Sequence, residues 1–161
     1  MNTEIDTTEE NEVNILIRED WQADGVVIRD YTAFERSEIM NLYTSVGWTN
    51  YTDHPQMLEK AYMNSLCTLG AYTADNSLIG IIRAVGDGAS ILFIQDIIVL
   101  PEFQRRGIGT ALLRAIIKRY PDVYQTELMT DNTDKTIAFY KSIGFTPATE
   151  FGCLGFMKLN T

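Results

Sequence analysis

Twelve consecutive residues, Val99-Leu100-Pro101-Glu102-Phe103-Gln104-Arg105-Arg106-Gly107-Ile108-Gly109-Thr110, concentrate the chemistry of this chain between a strand-like run and a helix-like one. The placement gives them a use. A helix N-terminus leaves main-chain N–H groups unpaired and carries roughly half a positive charge. Glycines at 107 and 109 remove the side chains that would hold an anion away from those N–H groups. Arg105 and Arg106 stand just in front, and Thr110 adds a hydroxyl. Together they describe a cradle for a diphosphate. The plain alternative, a glycine turn that only starts a helix, is weakened by the paired arginines and by the preceding strand and proline. A third glycine at 112, which a dinucleotide site needs, is replaced by Leu112, and Gly-x-x-x-x-Gly-Lys-[Ser/Thr] occurs nowhere. NAD and ATP are therefore the weaker candidates.

Charge distribution agrees with a local anion site. The chain has 161 residues with 13 Lys+Arg against 22 Asp+Glu, a formal net charge of -9. That balance repels a nucleic-acid backbone or an anionic bilayer unless the basic residues are gathered. Arg105, Arg106, Arg114, Lys118 and Arg119 are gathered in one stretch without an acid. The last three read as a solvated helix face. With two cysteines, Cys67 and Cys153, and a single histidine, His54, neither a disulfide framework nor a zinc cluster can be assembled. No apolar stretch is as long as a membrane span, and Met1-Asn2-Thr3-Glu4 lacks signal-peptide character. A cytoplasmic protein with no nucleic-acid or membrane partner is expected, with a homodimer left open.

The elements that must position the cradle follow from periodicity. Residues 1–12, with five acids and no base, read as a flexible tail, and 13–161 as one domain. Val26-Val27-Ile28 predicts a short strand, and Thr32 with Glu35 predicts a capping box opening a helix that runs to Gly47. Trp48-Thr49-Asn50-Tyr51 reads as a loop, followed by a helix starting near Asp53 and Pro55. Strands are expected over Cys67–Thr73, Leu78–Val85 and Ile91–Leu100, as an antiparallel meander. A helix is expected over Gly107–Tyr120, then a strand Val123–Thr130, a helix Thr133–Ser142 closed by Gly144, and a last strand Phe156–Leu159. The fold class is α/β with a mixed, mostly antiparallel sheet and helices on both faces.

Gln104-x-x-Gly107-x-Gly109 resembles the acetyl-CoA-binding signature of the GNAT superfamily of acyl-CoA-dependent N-acyltransferases. Ile94-Gln95-Asp96-Ile97-Ile98-Val99-Leu100-Pro101 resembles that family's central strand, and Thr136 through Phe145, with Tyr140-x-x-x-Gly144-Phe145, resembles its C-terminal helix. The order of elements from Val26 to Leu159 is similar as well. The resemblance implies an acetyltransferase with acetyl-CoA as cosubstrate and a primary amine as acceptor, joined in a ternary complex. It implies that Gln104, Arg105, Arg106, Gly107, Ile108, Gly109 and Thr110 hold the pyrophosphate. Pantetheine would lie along Ile97, Ile98 and Val99, and a main-chain N–H at Val99 would polarise the thioester carbonyl. Tyr140 would donate a proton to the leaving thiolate; on residue type alone it would equally serve packing. Where relatives carry a pantetheine-binding asparagine this chain has Thr133, with Asn132 one position earlier as the substitute. No base is assigned: the central strand offers Phe93 and Gln95, and alternation points Asp96 to the face opposite Gln95.

On the acceptor side the resemblance implies Tyr31, Trp48, Asn50 and Tyr51 as pocket residues. Such rings suit a cationic small molecule or a peptide amine, and they would equally fill the gap between the first helices and the sheet. His54, just before Pro55, reads as a capping or packing residue. Two other classes stay open on sequence: a catalytically silent acyl-CoA sensor, motivated by the missing strand acid, and a nucleotide-binding regulatory domain built on the same helix N-terminus.

Overall fold

Branched apolar residues dominate three successive runs, and in the computed structural model of the protein these become the centre of a five-stranded sheet. The structure describes residues 25–160, so the acidic tail expected over 1–12 lies outside the described residues. The chain divides into two compact units, one ending at Leu128 and the other beginning at Met129.

The first unit contains β1 (Val27–Asp30), α1 (Arg36–Ser45), the one-turn helix α2 (Thr49–Thr52) and α3 (Pro55–Met63). It continues through β2 (Cys67–Tyr72), β3 (Leu78–Gly86), β4 (Ile91–Val99), a 3-10 turn (Pro101–Phe103), α4 (Ile108–Arg119) and β5 (Gln125–Leu128). The strands lie in the order β1-β2-β3-β4-β5; the first four are antiparallel and β5 runs parallel to β4. This is the mixed, mostly antiparallel sheet expected from the sequence.

Residues of β3 are buried from Leu78 to Ala84 without alternation because both faces of the sheet are covered. Leu112 of α4 lies beside Gly80 together with Val99, on one face. On the other face Tyr43 of α1 reaches Asp96 of β4. The β3–β4 hairpin depends on Gly86, whose φ is +141° and where a Cβ would come 2.2 Å from the Ile91 carbonyl oxygen. In the turn, Asp87 accepts the N–H groups of Ala89, Ser90 and Ile91. The Ser90 hydroxyl, together with those N–H groups, holds its carboxyl well below the usual range.

Several expectations for the first unit change. The capping box of Thr32 and Glu35 does not form: α1 starts at Arg36, and Glu35 is the extended residue before it, making no side-chain cap bond. The Tyr31 hydroxyl accepts the Glu35 N–H instead, at 2.9 Å. Part of the expected loop at Trp48–Tyr51 winds into α2. Asp53 closes that turn, and His54 becomes the N-cap position of α3, with Pro55 first in the helix.

The second unit contains α5 (Asp134–Lys141) and a 3-10 turn (Ala148–Phe151). The strand expected over Phe156–Leu159 is absent; residues 153–160 have no regular structure and are exposed. A strand requires a partner for its main-chain hydrogen bonds, and the described residues of this unit contain no other strand.

Arg83 and Asp96 face each other in register across β3 and β4. Both are almost wholly buried, and the Arg83 Nε and Nη2 atoms each lie 2.5 Å from Asp96 Oδ2. Arg83 Nη1 donates to Ser65 Oγ at 3.2 Å. Breaking such a pair strands one charge in the core, at a cost of about 3–5 kcal/mol, whereas replacing both partners by apolar residues costs far less. Arg83→Met should lower the urea unfolding free energy by about that amount, and the Arg83→Met/Asp96→Leu double variant by clearly less. A single variant as stable as the parent would contradict this.

Candidate active site

Pairing along β4 is unequal on its two sides. β3 pairs with it from Leu92 to Val99, while β5 pairs only with Ile91–Ile94. From Gln95 onward no strand of the described residues claims the second edge. The Leu100 N–H donates to the Ile79 carbonyl of β3 at 2.9 Å. Hydrogen-bonding direction alternates along a strand, so the Ile98 amide also faces β3, and the amides of Ile97 and Val99 face the open edge. Gln104 Nε2 donates to the Val99 carbonyl on that side at 2.9 Å, which ties the loop to the strand end. The Ile98 side chain is buried in the core.

The register shifts between Arg83 and Ala84, which pair with Asp96 and Ile94 and leave Gln95 as the extra residue of a β-bulge. Simple alternation puts Gln95 on the face opposite Asp96. A bulge re-aims its side chain, and here Gln95 Nε2 donates to the Tyr51 hydroxyl at 3.2 Å. Tyr51 packs on Tyr43 with ring centroids 5.3 Å apart, and Tyr43 donates its hydroxyl hydrogen to Asp96 at 2.8 Å. Two neighbouring residues of one strand thus support one aromatic cluster.

Downstream of Val99 the chain makes the Pro101–Phe103 turn and reaches the N-terminus of α4. Arg105 adopts φ +62° and Gly107 φ +82°. The left-handed region costs a non-glycine residue about 1 kcal/mol or more, and such strain clusters at ligand clamps. Gly107 is the N-cap residue and supplies no side-chain cap. The helix's first hydrogen bond runs from the Ala111 N–H to the Gly107 carbonyl, which leaves the N–H groups of Ile108, Gly109 and Thr110 without a helical partner. Arg105 and Arg106 are exposed, with the Arg106 guanidinium 5.3 Å from the Phe103 ring centroid. An uncapped N-terminus bordered by two arginines fits an anionic phosphate group.

The rings expected to line an acceptor pocket form two groups. Trp48 meets Tyr43 at 5.8 Å and Tyr51 at 5.9 Å. Tyr31 stands instead against Tyr62, at 6.1 Å, and its hydroxyl reaches Glu38. Asn50 is exposed, and its main-chain carbonyl faces His54 Nδ1 at 3.1 Å. Burial pushes the Tyr31 phenol up to about 12. Burial, then the nearby Tyr62 and Asp96, pushes Tyr43 higher still; burial also raises Tyr62. Gln95, Tyr43 and the Arg83–Asp96 pair were not read as site-forming from the sequence, since nothing local signals a bulge.

Tyr140 belongs to the second unit, where the Tyr-x-x-x-Gly-Phe pattern acquires a physical cause. Its carbonyl accepts the N–H groups of Ile143 and Phe145, both at 3.1 Å. Gly144, at φ +99°, turns the chain so that Phe145 packs edge-on against the Tyr140 ring at 5.9 Å. Burial raises the Tyr140 phenol, and a hydrogen bond with Thr130 moderates this. Thr133 caps α5, its side chain accepting the Thr136 N–H at 3.3 Å, and Asn132 is exposed.

A mixed sheet with β4 half paired and an uncapped glycine turn beyond it give the fold and site their form, and comparison with known proteins supplies the family. Residues 66–147 match the acetyltransferase (GNAT) domain. A GNAT-family acetyltransferase from Streptococcus pneumoniae is 38% identical, with a TM-score of 0.76 over 84% of this chain and 98% of that one. The uncharacterized N-acetyltransferase ycf52 of Gracilaria tenuistipitata is 31% identical over 131 residues, 75% of this chain and 69% of its own. AAC(6')-Iy, solved with the bisubstrate analog CoA-S-monomethyl-acetylneamine, shares the fold at 18% identity, with a TM-score of 0.64 over 84% and 99% of the two chains. The chain belongs to the GNAT family and is an N-acetyltransferase. The family uses acetyl-CoA as cosubstrate.

The buried tyrosines carry a pH consequence. A phenol whose folded pKa lies above its unfolded value near 10 contributes stability that is fully present below about pH 10. That contribution is lost as pH rises through the folded value, about 12 for Tyr31. In an alkaline titration followed by phenolate absorbance, a subset of tyrosines should ionise only as the fold is lost, and Tyr43→Phe should shrink that subset. Ionisation of every tyrosine in one reversible step near pH 10, with the circular dichroism unchanged, is the contrary result.

Proposed function

We propose that the protein transfers the acetyl group of acetyl-CoA to a primary amine by direct attack in a ternary complex. The observation that carries the reading is the conjunction in one unit of the open edge of β4 with the uncapped N-terminus of α4. Gln104 bridges the two through its bond to the Val99 carbonyl. Bound acetyl-CoA supplies an acetyl group activated as a thioester.

The chain's own residues have the following parts in this proposal. The amides of Ile108, Gly109 and Thr110, with Gln104, Arg105, Arg106 and Gly107, hold the diphosphate. The open-edge amides of Ile97 and Val99 accompany the pantetheine arm, whereas Ile98, expected there from the sequence, turns its main chain to β3 and its side chain to the core; Asn132 is a further contact. The Val99 N–H donates to the carbonyl oxygen that gains negative charge as the amine attacks. A fixed donor of this kind favours the transition state over the ground state. Tyr140, a phenol protonated at neutral pH and raised further by burial, donates its proton to the departing thiolate. Trp48, Asn50 and Tyr51, with Tyr31 in the loop between β1 and α1, receive the acceptor, a cationic small molecule or a peptide amine. The AAC(6')-Iy complex, in which the CoA and acceptor portions are one molecule, supports simultaneous occupancy of both sites.

Steady-state kinetics of two variants test the assignment. Tyr140→Phe should lower turnover by about 10²-fold or more and leave acetyl-CoA affinity close to the parent's. Arg106→Ala/Gly107→Val should weaken acetyl-CoA binding by roughly tenfold or more, as loss of a charge-assisted hydrogen bond requires. Unchanged turnover in the first removes Tyr140 as the acid; unchanged affinity in the second contradicts the cradle.

A further inference from the structure

We infer that Gln95, held by Tyr51, orients the attacking amine through its side-chain carbonyl, and that the protein therefore acts on amines already neutral, of the α-amino type, in preference to lysine-type alkylamines. This rests on the acetyl-transfer reading above and specifies its acceptor.

The geometry comes from the bulge. Gln95 is the extra residue at the point where β5 leaves β4, so it stands at the start of the same open edge that carries the Ile97 and Val99 amides. Its Nε2 donates to the Tyr51 hydroxyl at 3.2 Å, which fixes the plane of the amide and leaves Oε1 as an acceptor. Tyr51 is itself held, by Tyr43 at 5.3 Å and by Trp48 at 5.9 Å. Gln95 is exposed, unlike the buried Ile94 and Asp96 on either side. A carboxamide oxygen can accept an N–H of the incoming amine and turn its lone pair away from itself. It cannot remove a proton from an ammonium group.

Among the described residues the surroundings supply no substitute base; on β5, Glu127 is exposed and stands opposite Phe93 rather than Gln95. From β3 and β4, Arg83 and Asp96 are buried and paired through Asp96 Oδ2, and Asp96 Oδ1 is buried with no hydrogen-bond partner, closed off from the exposed Gln95 amide. From α1, Tyr43 bonds Asp96 and Glu38 faces Tyr31; from α3, Tyr62 bonds Tyr43. His54 turns Nδ1 to the Asn50 carbonyl, and Asp53 next to it is exposed. Among the described residues, no carboxylate or imidazole lies within hydrogen-bond distance of the Gln95 amide or the Tyr51 hydroxyl. An ammonium held over the rings has no lone pair to attack with. With no described residue placed to take it, the proton leaves before the amine binds, and at pH 7 an α-amino group of pKa about 8 is neutral on the order of 200-fold more often than a lysine amine of pKa about 10.4.

The test measures kcat/KM against pH for the full chain with two acceptors, the tripeptide Gly-Gly-Gly amide and Nα-acetyl-lysine amide, following release of the CoA thiol. The inference expects each acid limb to follow that acceptor's own ionisation, the two separated by roughly 2 pH units, with the tripeptide preferred at neutral pH. Gln95→Glu, which installs a proton acceptor, should give both substrates one shared limb at lower pH. Gln95→Ala should lower kcat/KM for the tripeptide by roughly tenfold or more while leaving acetyl-CoA affinity unchanged. A common acid limb for both acceptors in the parent, a preference for the lysine amine, or an unaffected Gln95→Ala would overturn the inference and leave acetyl transfer standing. Failure of both acceptors to react, with acetyl-CoA bound, would overturn it together with the amine-transfer reading on which it rests.

Discussion

Strand β4 is fully paired on one side and half paired on the other, and the candidate site follows from that inequality. A main-chain amide is a fixed, uncharged donor that costs nothing to reorient, but only where the sheet has not already used it. Ending the β4–β5 ladder at Ile94 and Leu128 releases that edge. The α4 cradle then begins a few residues beyond, anchored to the strand end through Gln104 and the Val99 carbonyl.

Register has to be secure where a ladder is interrupted, because a slip of one residue exchanges the two faces of a strand. The Arg83–Asp96 pair sits next to the bulge and supplies that security. A slip would bury both charges against aliphatic neighbours. Buried ion pairs are poor sources of net stability, and specifying register is the better account of this one. Tyr43 extends the arrangement to α1: its hydroxyl is fixed by Asp96, and its ring carries Trp48 and Tyr51. The aromatic wall and the bulge are thereby parts of one packed structure within the first unit.

What the sequence disclosed was what a few adjacent residues determine. Gln104 through Thr110 could be read as a glycine turn opening a helix, and Tyr140 through Phe145 as a helix closed by a left-handed glycine, because both geometries are local. The meander and its mixed sheet followed from periodicity and turn residues. The bulge at Gln95 depends on how β3 and β4 pair and leaves no trace in the strand's own alternation. Arg83 and Asp96 meet only after pairing, so the acid that seemed nearest to being a base is instead a core residue. Thr32 and Glu35 had the right spacing for a capping box, but the Tyr31 hydroxyl took the Glu35 N–H first. The mostly apolar run Phe156–Leu159 suggested a strand, yet residue type does not supply a partner strand.

The central claim is that specific main-chain amides bind CoA, and residue-resolved hydrogen exchange with and without CoA addresses it directly. The account predicts slower exchange at Ile97, Val99, Ile108, Gly109 and Thr110 on CoA binding, with Ile98 and Leu100, which face β3, unaffected. CoA binding demonstrated by calorimetry with no slowing at those five amides would contradict it.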